Sequence, residues 1–243
     1  MTLGRRFVLL GCAAVALSAC VPPVVHEPVP RTDAPQDFPT AEYAELAKRG
    51  VRVFAVDERA SRILIEVGKA GRLAHLGHEH AIVTRDVRGY IAPQVGRADL
   101  YVRVDTLIVD ESAARREAGF DTEPSADAIA GTRENMLRNV FDVERHPFVR
   151  VRAIRIGGAG APDAIAISVN GVERRVPVTM QREDHEGQFV ARGRFSVNQT
   201  DFGITPFSIL GGALQVRDRI DVRAQSIHEG GNICVSFRAA RCP

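Results

Sequence analysis

The chain has 243 residues, with 32 Lys and Arg against 30 Asp and Glu, for a formal charge of +2. Arg5 and Arg6 lie in the leader described below, so the remainder is electrically neutral and offers no basic surface to a nucleic acid. No Gly-x-Ser-x-Gly elbow, His-Glu-x-x-His helix, phosphate loop or dinucleotide fingerprint occurs, which leaves a hydrolase or nucleotide enzyme without a recognisable site.

Arg5 and Arg6 precede an apolar run, Phe7 to Leu17, far shorter than the ~20 residues of a spanning helix, which is the pattern of an export signal over residues 1–19. Leu17-Ser18-Ala19-Cys20 resembles the lipobox of bacterial lipoproteins, in which the thiol is diacylated and becomes the mature N-terminus. Ordinary cleavage that leaves Cys20 free is the competing reading. The coincidence of apolar length, small residues and cysteine favours lipidation of Cys20, while the paired arginines form only part of a twin-arginine signal. Val21 follows the cysteine where an aspartate would favour inner-membrane retention, so the expectation is an outer-membrane lipoprotein facing the periplasm.

Residues 20–49 are expected to form a tether. Six of the thirteen prolines fall between Val21 and Pro39, which favours extended, semi-rigid chain. Thr40 to Arg49 fits a short helix with Thr40 as N-cap, Tyr43, Leu46 and Ala47 on one face, and Gly50 as terminator.

Strands follow. Val51–Asp57 and Arg62–Val67 are rich in β-branched residues and predict a first hairpin. Leu100, Val102, Val104, Thr106 and Ile108 alternate with Arg103 and Asp105 along one long strand. Val149, Val151 and Ala153 alternate with Arg150 and Arg152, the pattern of a strand with one buried and one wet face. The phase then slips at Ile154 and Ile156, so either a β-bulge near Ala153 re-aims the strand or regular pairing stops there. Ile165–Val169 and Val172–Met180 flank Asn170-Gly171, the strongest two-residue signal for a type I′ hairpin. Phe189–Val197 and Gln215–Gln225 add two more strands. Among them Ser125–Val140 fits a helix with Ile129, Met136, Leu137 and Val140 on one side, barred from continuing by Pro147. About eight closely spaced strands and one helix between them predict an all-β antiparallel barrel in preference to a sandwich, because closure removes the sheet edges.

Three stretches carry a resemblance. Glu134 to Asp142 followed by Arg145-His146-Pro147, then Val169-Asn170-Gly171-Val172 with Val176-Pro177-Val178, then Phe195 to Ile204 containing Asn198-Gln199-Thr200-Asp201-Phe202-Gly203, together resemble the YceI-like family. That resemblance implies a lipocalin-like barrel and the binding of polyisoprenoids such as isoprenoid quinones. The chain departs from the family pattern at Gln199, where arginine is commoner, and at Met136, where histidine is, which marks a divergent branch.

An apolar ligand needs an apolar lumen. Phe195, Val197, Phe202 and Phe207 are the candidate lumen or mouth residues, joined by Leu73 and Leu76; the opposing reading is a solid core in which they simply pack. Ile204 to Leu214 carries no charge, and its Pro206, Phe207, Ile209 and Leu210 suit either a cover for the mouth, a membrane contact or packing across a barrel end. His75, His78 and His80 are a candidate Zn²⁺ or Cu²⁺ site, against the plainer reading of histidines bonded to backbone or water in a polar turn. Asp201 and Asp218 read as turn and ion-paired residues, not as an acid–base pair.

The expected organisation is a leader (1–19), a lipid-anchored tether (20–49), a barrel domain (50–227) and a C-terminal tail (228–243) closed by a disulfide between Cys234 and Cys242. The expected function is non-enzymatic binding or carriage of an isoprenoid or similar apolar lipid in the bacterial envelope, with the membrane as partner through the anchor and no certain cofactor. A metal-binding envelope protein and a structural module with a filled barrel are the alternatives. Oligomeric state has no signature in the sequence.

Overall fold

The computed structural model describes the backbone of residues 33–155, 163–185 and 187–229. Cys20, the leader, and the expected Cys234–Cys242 disulfide lie outside these described residues.

In chain order the described elements are α1 (Thr40–Lys48), β1 (Phe54–Val56), β2 (Arg62–Ala70), β3 (His80–Thr84), β4 (Val87–Ala92), β5 (Arg97–Arg103), β6 (Ile108–Val109), α2 (Ser112–Ala118) and α3 (Ala126–Asn135). There follow β7 (Phe148–Arg155), β8 (Asp163–Val169), β9 (Val172–His185), β10 (Gln188–Asn198), β11 (Ser208–Ile209) and β12 (Leu214–Glu229). Pairing runs β12–β1–β4–β5–β7–β8–β9–β10 and returns to β12, an all-antiparallel ring of eight strands. The barrel expected from the sequence is therefore present, closed where β1 bridges Glu229 of β12 and Tyr90 of β4 through Ala55.

The first hairpin is not. β1 and β2 both pair antiparallel with β12, at Val56↔His228 and Arg62↔Gln225, so they run in the same direction along one long partner. The turn between them, tied by the Ser61 N–H to the Asp57 carbonyl at 2.9 Å, interrupts a strand and does not reverse it. Beyond β2 the wall continues through β3 to β6.

β3 carries no alternating signal because it is covered on both sides. β2 and β3 turn Ile63, Ile65 and Ile82 inward, while Leu64, Ala81 and Val83 face outward under Ala114, Ala118 and Phe120 of α2 and its following turn. A strand buried on both faces reads as a continuous apolar run. The long strand expected through Ile108 is broken by a 3₁₀ turn over Val104–Thr106, which puts Leu107 inside and leaves Ile108 44% exposed.

Other local expectations hold for identifiable reasons. Asn170 (φ 51°) and Gly171 (φ 75°) both adopt the positive φ that a type I′ turn requires, and Val169 pairs with Val172. The register between β7 and β8 shifts between Ala153 and Arg155, so the slip in the sequence is a bulge. Ser125 caps α3 by accepting from the Ala128 N–H at 3.2 Å. Its end widens into a π turn over Met136–Val140, closed by Phe141 N–H to the Met136 carbonyl at 3.0 Å.

α1 belongs to the barrel, not to a tether ending at residue 49. Tyr43 is 1% exposed, packs on Tyr90 with ring centroids 5.3 Å apart, and donates to Asp99. Residues before it also lie on the wall, through Asp33 to Arg103, Asp37 to Arg150, and Phe38 edge-on to Tyr101. The N-cap position is Pro39 and not Thr40, without a side-chain bond. At the other end Gly50 (φ 80°) completes a Schellman motif, with Gly50 N–H on the Ala47 carbonyl and Val51 N–H on that of Leu46.

Candidate functional site

Alternation along the ring puts one side chain in two on the inside. The register pairs Leu100 with Val151 and Val151 with Ile167, and on the opposite wall Ile65 with Val222. All five line a cavity of about 550 Å³. The outward partners on β7, Arg150 and Arg152, make ion pairs with Asp37 and Glu173. The lumen is thus hollow and mainly apolar, in contrast to the solid core considered from the sequence.

One end is plugged. Phe54 and Phe189 meet with ring centroids 6.0 Å apart and pack with Ile91 and Ala98, which form the floor of the cavity. At the opposite end the π turn after α3 brings Met136, Val140 and Phe141 into the lining. The β8–β9 hairpin holds that turn in place, since Asn170 Nδ2 donates to the Val140 carbonyl at 2.7 Å. Phe202, in the 3₁₀ turn that ends β10, is buried, whereas Phe207 lines the cavity and is 48% exposed, so this end is the mouth.

Phe195, Val197, Phe202 and Phe207 all line the cavity. Leu73 and Leu76 do not line the cavity. The 3₁₀ turn Ala74–Leu76 breaks strand alternation there; Leu73 is tied by its N–H to the Ala213 carbonyl at 2.8 Å, and Leu76 is 62% exposed. Leu76 shares this exposed apolar character with Phe207, Ile209 and Leu210 on the neighbouring loop. The lining also includes residues not among those expected from the sequence, such as Ile63, Ile65 and Val67 on β2 and Ile220 and Val222 on β12. Their period-two spacing was the available signal.

The structure does not gather His75, His78 and His80 at one point. His75 and His78 are exposed, and among the described residues no three His, Cys, Asp or Glu side chains converge on a common point. The 3₁₀ turn separates His75 from the strand that carries His80. His80 instead lines the cavity and places Nδ1 2.7 Å from Asp110 Oδ2. Asp110, in the left-handed region at φ 55°, accepts at its other oxygen from Arg115 Nη1 at 2.6 Å and the Ala81 N–H at 3.0 Å. Arg115, equally buried, donates also to the Glu79 carbonyl at 2.7 Å and, through Nε, to the Thr122 carbonyl at 2.7 Å. Burial pushes the Asp110 carboxyl up, but the bonds from His80, Ala81 and Arg115 outweigh it and hold the group below the usual carboxylate range.

Two other polar side chains of the wall bond to the backbone. Thr84 Oγ1 accepts from the Asp86 N–H at 3.1 Å, and Gln199 Nε2 donates to the Arg217 carbonyl at 2.9 Å. Asp218 accepts from the Thr200 N–H and hydroxyl at 2.9 and 2.7 Å, which is a turn-fixing role, and Asp201 is exposed.

Among curated proteins no sequence matches this chain. Its fold is similar to that of a polyisoprenoid binding domain from Saccharophagus degradans implicated in plant cell wall breakdown, with a TM-score of 0.52, 12% identity, and coverage of 73% of this chain and 98% of that one. Burkholderia cenocepacia BcnA is similar at a TM-score of 0.49 and 12% identity, over 71% of this chain and 98% of that one. The family model of the YceI-like domain matches residues 54–226, the span from β1 to nearly the end of β12, and the chain belongs to the YceI-like family.

Proposed function

We propose that this protein is a non-enzymatic carrier of an isoprenoid or similar apolar lipid, anchored in the bacterial envelope through Cys20. The observation that carries this reading is the apolar cavity of about 550 Å³, floored by the Phe54–Phe189 contact and open beside Phe207. Pockets of several hundred Å³ suit small ligands, and each Å² of apolar ligand surface taken from water contributes roughly 25 cal/mol, so a prenyl chain is held with few polar contacts. Family membership and the polyisoprenoid binding of the Saccharophagus degradans domain support the same ligand class.

The exposed apolar side chains Leu76, Phe207, Ile209 and Leu210 support a mouth that meets the bilayer surface of the outer membrane. Asp33, the first described residue, is bound to Arg103 where β5 ends on the mouth side. Lipid exchange with the membrane then needs no exposure of the ligand to water.

The test is native mass spectrometry of the protein expressed from residue 21 and purified without detergent, followed by organic extraction. A co-purifying prenyl lipid, or stoichiometric uptake of a fluorescent prenyl probe, is expected. A bare mass with no uptake would return the chain to the class of structural envelope modules, and a mass raised by metal alone would revive the histidines.

A further inference from the structure

We infer that the cavity selects a lipid bearing a hydroxyl group, and that His80 Nε2 is the acceptor for that hydroxyl; the inference rests on the carrier reading above. His80 pairs with Val67 on β2, and Val67 with Ile220 on β12, and all three line the cavity. The imidazole therefore faces the lumen, set among aliphatic neighbours.

Its tautomer is fixed from behind. An ionised carboxylate can only accept, and Asp110 is held ionised by Arg115 and the Ala81 N–H, so the ring nitrogen 2.7 Å away carries the hydrogen and donates it. In the neutral imidazole Nε2 is then a lone-pair acceptor. No described protein group bonds to Nε2, and the side chain is 16% exposed. Elsewhere on the wall Thr84 Oγ1 accepts from the Asp86 N–H and Gln199 Nε2 donates to the Arg217 carbonyl, whereas His80 is the lining side chain whose ring is oriented by a buried carboxylate.

A hydrocarbon packed against Nε2 removes its water and returns nothing, which is unfavourable for a buried acceptor. An alcohol or phenol donates its O–H and satisfies the site. A ketone or quinone oxygen, being an acceptor itself, does not. The ligand class is therefore a long-chain alcohol or phenol, its hydroxyl at the depth of β3 and its chain along the lumen.

The experiment compares a C15 prenyl alcohol with the hydrocarbon of the same skeleton, each displacing a fluorescent prenyl probe from the detergent-free protein, in wild type, His80→Phe and His80→Gln. The wild type is expected to prefer the alcohol roughly threefold to tenfold, the effect of one hydrogen bond. H80F should abolish the preference, read as the ratio of alcohol to hydrocarbon affinity in the same variant. H80Q, whose amide oxygen can accept, should restore part of it. The ¹⁵N resonance of His80 Nε2 should move with the alcohol and stay with the hydrocarbon. Equal preference in wild type and H80F, or equal loss of both compounds in both variants, overturns the role of His80. Failure of both compounds to bind the wild type removes the carrier reading and this inference with it, an outcome distinct from loss of selectivity alone.

Discussion

Tyr43 of α1 donates its phenolic hydrogen to Asp99 Oδ2 on β5 at 2.8 Å, across 56 positions of sequence. Arg97 completes the arrangement, lying over the Tyr43 ring at 5.1 Å and donating to the same carboxylate at 3.1 Å. Burial, reinforced by the Asp99 charge, pushes the phenol well above its ordinary pKa, so it remains a donor at any physiological pH. The contact fastens the helix to the outer wall of β4 and β5. Tyr43→Phe keeps the ring packing and loses the bond, for an expected cost of about 1 to 2 kcal/mol in urea unfolding. A truncation starting at residue 50 should cost considerably more, because Tyr90 and Ala92 lose their cover; equal stability of the two forms would show that α1 is dispensable.

Asp110 and Arg115 are a buried pair, and removing one charge strands the other. Asp110→Asn is expected to lower stability by about 3 to 5 kcal/mol at pH 7. The pH dependence follows from the sign of the shift. Because the folded carboxyl titrates below its unfolded value, its stabilising contribution is complete above the ordinary Asp range and is lost as pH falls through the lower, folded value. Wild type should therefore lose stability more steeply than D110N as the pH is taken down from about 5. Parallel acid profiles would mean that Asp110 does not carry this linkage.

Gly171 sits at φ 75°, and a Cβ there would approach His146 Cε1 to 3.3 Å. Gly171→Ala is expected to destabilise by about 1 kcal/mol through the strained backbone, read as a lower urea midpoint with an unchanged slope. Asn170 binds the Val140 carbonyl, so the same substitution should also raise amide exchange in the π turn at the mouth.

A hollow lumen tolerates added volume where a packed core does not. Val151→Trp projects an indole into the cavity from the middle of β7 and should abolish uptake of a prenyl probe, with a loss of stability under about 1.5 kcal/mol. A drop of several kcal/mol would indicate that the space was filled.

What the sequence by itself determined is local. Backbone chemistry at Asn170-Gly171, the alternation of valines and arginines on β7 and the Phe195–Phe207 segment could be read directly, because each depends on neighbours within a few residues or on a strict period of two. The antiparallel barrel followed from strand spacing. Tertiary structure decided the rest. β3 shows no alternation because α2 buries its outer face, and Ile108 lies off the expected phase because a 3₁₀ turn resets it. The hairpin expected between β1 and β2 gave way to a shared, distant partner in β12, a choice that no local pattern encodes. Most of all, His80 was legible as a histidine but not as a lumen-facing one. That role depends on Asp110 and Arg115, brought together by packing of β3 against β6 and α2, and long-range contacts of this kind leave no periodicity to read.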